Sequence, residues 1–176
     1  LMNSLSQEEK ENTVIIFIGD NGTPQQVAQE YNSSRTKGSL YQGGINVPMI
    51  ISGKNVMRIN EAENALINTT DLFTTIANIA GINVDKINDS QSFYESFSNS
   101  SFQGREYAYA ENYLNATIRN STHKYILFSD GSEKLYNLIE DPLETKNLVQ
   151  QSNLPLSDSN EIIKNELIGK LQEIKQ

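Results

Sequence analysis

The residues of this chain best suited to chemistry lie in two short clusters near its start. Asp20 and Asn21 are adjacent oxygen donors directly after the apolar run Thr13-Val14-Ile15-Ile16-Phe17-Ile18. A hard cation such as calcium takes carboxylate and amide oxygens of this kind. Asp20-Asn21-Gly22 is also a turn sequence, because Asn and Gly tolerate left-handed backbone conformations, so the triplet alone leaves both readings open. The second cluster runs Thr36-Lys37-Gly38-Ser39-Leu40-Tyr41-Gln42-Gly43-Gly44-Ile45-Asn46-Val47-Pro48. The chain has one histidine and no cysteine, which excludes a thiolate metal site, a cysteine nucleophile and a disulfide framework. The histidine, His123, reads as an ordinary strand or turn residue. Glu111 and Asn112 read equally as groups near a substrate and as hydrogen-bonders at a strand end.

These side chains need elements to hold them. Thr13 to Ile18 lacks polar alternation, which predicts a strand covered on both faces in a parallel sheet. Ligands of open α/β sheets gather just beyond the carboxyl ends of strands, where Asp20 and Asn21 fall. The polar stretch from Thr23 to Thr36 reads as a loop over a site, and Val47 to Gly53 as a second short strand opened by Pro48. Thr70 or Asp71 is placed to cap a helix carrying Leu72, Phe73, Ile76, Ile79 and Ala80, stopped by Gly81, that covers the sheet. Ile82 to Gly104 is rich in Asn, Ser and Asp and reads as a connector. Four β-rich segments between Tyr107 and Leu138 predict an antiparallel meander, and apolar residues from Ile162 to Ile174 recur at helical spacing. At the start, Leu1, Met2 and Leu5 before a polar run suggest the end of a helix.

Composition narrows the function classes. The chain has 176 residues and a formal charge of -8, with 37% hydrophobic and 20% charged residues, enough apolar material for a core and too little charge for general disorder. An acidic chain without clustered Lys and Arg is a poor partner for nucleic acid. No apolar run reaches the roughly 18 residues that span a bilayer, and Leu1-Met2-Asn3-Ser4 is unlike a signal peptide. Because position 1 is Leu, the chain is expected to begin partway through a longer gene product. Seven Asn-x-Ser/Thr sequons do not establish secretion in a chain this rich in Asn and Ser.

Four ordered blocks carry a resemblance to a known family. A strand ending in Asp20-Asn21-Gly22 is followed by Lys37-Gly38, Tyr41, Gly43-Gly44 and Pro48. Thr70-Asp71-Leu72-Phe73 with Thr75-Ile76 comes next, and Leu135-Tyr136-Asn137-Leu138 precedes Asp141-Pro142-Leu143-Glu144-Thr145-Lys146-Asn147-Leu148. Together they resemble the later part of the sulfatase family, within the alkaline-phosphatase-like superfamily.

The resemblance implies calcium ligands at Asp20 and Asn21 and a sulfate-contacting lysine at Lys37. It also implies a formylglycine nucleophile made from Cys or Ser in Cys/Ser-x-Pro-x-Arg. Gly22, Asn46, Glu140 and Asn153 stand two positions before the four prolines, so formylglycine is absent from this chain, which is expected to be inactive alone. The expected fold is α/β: residues 1–90 form part of the large domain's sheet with its covering helix, and residues 91–176 a small antiparallel sheet plus helix. Asp141, Pro142 and Glu144 fit a capped helix start. The implied substrate is a sulfate ester, an aryl sulfate or a sulfated sugar, and the implied compartment periplasmic, extracellular or lysosomal-type. Uncovered sheet surface predicts an oligomer. A phosphatase or phosphodiesterase relative is disfavoured by the single histidine. A non-catalytic interaction module is the other alternative.

Overall fold

In the computed structural model of the chain, residues 4–30, 32–84 and 87–175 are described. They fall into two compact units, Leu1–Gly19 with Pro48–Glu106 and Asp20–Val47 with Tyr107–Gln176. Among the described residues no helix is long and apolar enough to cross a membrane.

The first unit opens with helix α1 (Gln7–Glu11). The expected helix end is here a helix start: Ser6 Oγ accepts from Glu9 N at 3.3 Å and Glu9 Oε2 accepts from Ser6 N at 2.8 Å, a capping box. Residues 1–3 of that expectation lie outside the described residues. Strand β1 (Val14–Ile18) pairs with β2 (Met49–Gly53), from Val14↔Gly53 to Ile18↔Met49. The pairing is antiparallel, not parallel as expected, because an unbroken apolar run reports coverage and carries no information on the partner's direction. Coverage itself is incomplete, with Phe17 60% and Ile50 63% exposed.

A 3-10 turn (Thr69–Asp71) leads into α3 (Leu72–Ile79), which follows the short α2 (Gln42–Ile45) of the second unit in chain order. Past its end Gly81 takes φ +74°, the left-handed stop expected of glycine. Thr74 and Thr75 form its buried face, and Thr75 Oγ1 donates to Asp71 O at 2.7 Å while accepting from Phe93 N at 3.0 Å. The segment read as a connector therefore carries core, since Phe93 and Phe97 are buried around a 3-10 turn (Tyr94–Phe97). Residues 85 and 86 of that segment lie outside the described residues. Asp71 ties the unit together: its carboxylate accepts from Asn68 N and Gln91 N, both at 2.8 Å, and from Arg105 Nε at 2.7 Å and Nη2 at 2.6 Å.

The second unit is built on a meander of β3 (Ala108–Asn112), β4 (Asn115–Arg119), β5 (His123–Leu127) and β6 (Glu133–Asn137), paired in that order and antiparallel. Helix α4 (Asp158–Ile174) follows, with Ser157 as N-cap. Alternate strand residues face opposite sides. Ala116, Ile118, Tyr125 and Leu135 pack with Leu167 and Leu171 of α4, while Ile126, Tyr136 and Leu138 pack with Leu40 and Tyr41 from the early segment. The meander is thus covered on one face by its own helix and on the other by Leu40 and Tyr41, far earlier in the chain.

The expected helix at Asp141 does not form. Asp141 instead closes a turn, its carboxylate accepting from Thr145 N at 2.9 Å and Lys146 N at 2.7 Å. Glu144 takes φ +57° and is fully buried. Asp and Pro suit turns as well as helix starts, and the buried contacts of Glu144 with Lys124 and Gln42 favour the turn.

Candidate functional site

The candidate site lies in the segment 20–47 of the second unit. Thr23 N donates to Gly43 O at 3.0 Å, and Lys37 N donates to Thr23 O at 2.9 Å. These two bonds link both sequence clusters through Thr23, two residues beyond Asn21. Glycine makes the approach possible: a Cβ on Gly22 would lie 2.4 Å from both Gly43 O and Gly44 O, closer than any side chain tolerates. Helix α2 (Gln42–Ile45) begins at this contact.

Asp20 and Lys37 are exposed and Asn21 is half-buried, with Asn21 Nδ2 donating to Gly22 O at 3.0 Å. That bond turns the amide so that its nitrogen is occupied and its oxygen remains an acceptor. Lys37 forms no ion pair among the described residues. The donor set, one carboxylate and one amide oxygen, suits a hard cation but supplies only two of the roughly six to eight oxygens calcium takes. No group of three or more His, Cys, Asp and Glu side chains placed to hold a metal occurs among the described residues.

Beneath this segment sits a knot of buried charge. Lys124 and Glu144 are both fully buried, and Lys124 Nζ lies 2.8 Å from Glu144 Oε1 in an ion-pair contact that is not an aligned hydrogen bond. Glu144 Oε2 accepts from Gln42 N at 2.6 Å, and Lys124 Nζ approaches Gln42 Oε1 at 3.4 Å. Arg35 Nη1 donates to Glu144 O, and its guanidinium lies 5.0 Å from the centre of the Tyr41 ring and 6.0 Å from that of Tyr136. Burial drives the Lys124 ammonium down to about 8, against the opposing pull of Glu144. Burial also lowers Arg119 on the neighbouring strand. The knot fastens both ends of the Arg35 to Gln42 stretch, and Lys37 with it, to the meander.

A further tether comes from β3, where Asn112 Nδ2 donates to Gly38 O at 2.7 Å. Glu111 faces the other side of the sheet, and its Oε2 accepts from Tyr109 O–H at 2.5 Å. Of that pair only Asn112 reaches the site segment. His123 is buried at the start of β5, its Nδ1 2.8 Å from Thr122 Oγ1, with its pKa lowered by desolvation. It stays a strand residue, as its sequence context predicts. Sequence reasoning missed Arg35, Gln42, Lys124 and Glu144 as supports of the site. Their one available signal was the Asp141 to Leu148 block, whose glutamate reads as a local cap until its partners are seen.

The sulfatase family model matches residues 1–82, the span that contains both clusters. Over that span the chain is similar to the sulfatase family. It is 29% identical over 123 residues to an ulvan-active sulfatase of Formosa agariphila, an alignment covering 66% of this chain and 19% of that relative. A 2-O GAG sulfatase structure superposes with TM-score 0.73 at 21% identity, over 94% of this chain and 37% of that one. A protein solved with its substrate D-glucosamine-2-N,6-O-disulfate gives TM-score 0.73 at 20% identity, over 93% and 34% of the two chains. These structural likenesses establish the fold. The chain spans about a fifth of the length of that curated relative and little more than a third of the two solved structures.

Proposed function

We propose that this chain works as the later portion of a sulfatase that hydrolyses sulfate esters of sugars. Lys37 contacts the sulfate group, and Asp20 and Asn21 provide two calcium ligands. The observation that supports this reading is the hydrogen-bonded link from Lys37 N to Thr23 O and from Thr23 N to Gly43 O, which ties the backbone at Lys37 to the residue two positions beyond Asn21. An ammonium next to a sulfuryl oxygen stabilises the negative charge that builds as the ester S–O bond breaks. Calcium, when bound, supplies Lewis-acid charge for the same purpose. The buried Lys124–Glu144 knot holds the lysine-bearing segment still, so that little reorganisation is needed during the reaction. A sugar sulfate is favoured over an aryl sulfate by the ulvan-active relative and by the neighbour bound to D-glucosamine-2-N,6-O-disulfate.

The chain has no cysteine and no Ser-x-Pro-x-Arg, so no formylglycine nucleophile can arise within it, and binding alone does not replace a nucleophile. The purified chain supplied with calcium should therefore turn over neither aryl nor sugar sulfates, and turnover that survives repurification would overturn this assignment. In a sulfatase that contains this chain, Asn21→Ala should weaken calcium binding. Lys37→Ala should lower kcat by about 10²-fold or more, the scale of losing one donor to developing charge. An unchanged kcat would remove Lys37 from the site.

A further inference from the structure

The hairpin joining β3 and β4 pairs Asn112 with Asn115 and leaves Tyr113 and Leu114 as a two-residue loop. Tight loops of this length call for positive φ and favour Gly or Asn. Tyr113 nevertheless adopts φ +47°, a conformation that a bulky side chain takes at a steric cost. The Tyr113 side chain itself is not buried to offset that cost: Tyr113 is 103% exposed and Leu114 75%. Strain in a fully exposed aromatic residue is the pattern of a site held ready for a ligand.

The tip is also braced. Ser129 N donates to Asn115 Oδ1 at 2.9 Å, Asn115 Nδ2 to Asn112 Oδ1 at 3.1 Å, and Asn112 Nδ2 to Gly38 O at 2.7 Å. This relay ends on the residue after Lys37. Tyr113 follows Asn112 directly, so the aromatic ring and the proposed sulfate contact sit one residue to either side of a single hydrogen bond.

We propose that Tyr113 is a stacking platform for the sugar ring of a sulfated carbohydrate whose sulfate group is held at Lys37. This rests on the reading of Lys37 given above. The C–H face of a pyranose is apolar and packs on an aromatic face, while the phenol O–H stays free for a sugar hydroxyl. Ring contact at Tyr113 and charge contact at Lys37 would together select sugar sulfates over inorganic sulfate.

The test is an NMR titration of the isotopically labelled 176-residue chain in calcium chloride. The probes are inorganic sulfate, the 6-sulfates of glucose, galactose and N-acetylglucosamine, and the three unsulfated sugars. At least one sugar sulfate should shift the amides of Lys37, Gly38 and Asn112 to Asn115. Tyr113→Ala should weaken its binding by about threefold to tenfold, the range of one aromatic contact, with inorganic sulfate unaffected and Tyr113→Trp restoring affinity. Sulfate binding at Lys37 with sugar sulfates indifferent to Tyr113→Ala would overturn the platform alone. The platform also falls if Tyr113→Ala changes only the chain's self-association, or weakens inorganic sulfate equally. No response at Lys37 to any sulfated probe would overturn the site reading and the platform with it.

Discussion

At the scale of single residues, Glu144 has the largest expected effect in the second unit. It is buried, it faces Lys124 at 2.8 Å, and it accepts from Gln42 N at 2.6 Å. Such a pair gains little over an apolar replacement, because removing two charges from water costs nearly what their attraction returns. Breaking it leaves one charge stranded. Glu144→Gln should therefore destabilise the chain by about 3–5 kcal/mol, while the double change Lys124→Met/Glu144→Leu should cost clearly less. Urea unfolding followed by near-ultraviolet circular dichroism reads both, and a loss below about 0.5 kcal/mol for Glu144→Gln, the range of ordinary surface changes, would show that the knot is not what holds the segment.

At the scale of elements, the contact between the Asp20-Asn21-Gly22 turn and the start of α2 depends on missing side chains. A Cβ at Gly22 would meet two backbone oxygens at 2.4 Å, and backbone cannot rotate out of the way as a flexible side chain does. Gly22→Ala should push the turn away from Gly43 and break the bonds of Thr23 N and Lys37 N. Hydrogen exchange provides the measurement: both amides should lose protection, while those of the meander keep theirs. Unchanged protection at Thr23 and Lys37 would mean that the two clusters are joined by something other than this approach.

At the scale of the whole molecule, the first unit carries uncovered apolar surface. Phe17 and Ile50 are cross-strand partners on the β1–β2 pair, 60% and 63% exposed, and Phe73 and Ile76 of α3 are each 55% exposed. A two-stranded pair with open edges and an apolar face invites another chain. The chain should associate in a concentration-dependent way, and Phe17→Lys with Ile50→Thr should reduce the association. Light scattering that finds a monodisperse monomer at high concentration would defeat this expectation.

The sequence by itself determined the elements whose signals are local. The meander, α4 and the span of α3 with its Gly81 stop follow from local spacing and end chemistry, which act over a few residues; the face of α3 does not, since Thr74 and Thr75 are buried while Phe73 and Ile76, read as its packing face, are exposed. The sulfatase resemblance was equally legible, since it rests on short ordered motifs. Tertiary structure decided what depends on partners far along the chain. The β1–β2 direction is one case, because an apolar run is the same in either orientation. Glu144 is another: from its neighbours it reads as a helix cap, yet its environment is made by Lys124 and Gln42, 20 and 102 positions away, and a buried cation outweighs a local capping preference. Tyr113 is the third. Its type and place in the sequence are those of any strand-end tyrosine, and only the folded hairpin, which holds it at positive φ next to Asn112 and its bond to Gly38, distinguishes it, because exposure and strain are properties of packing.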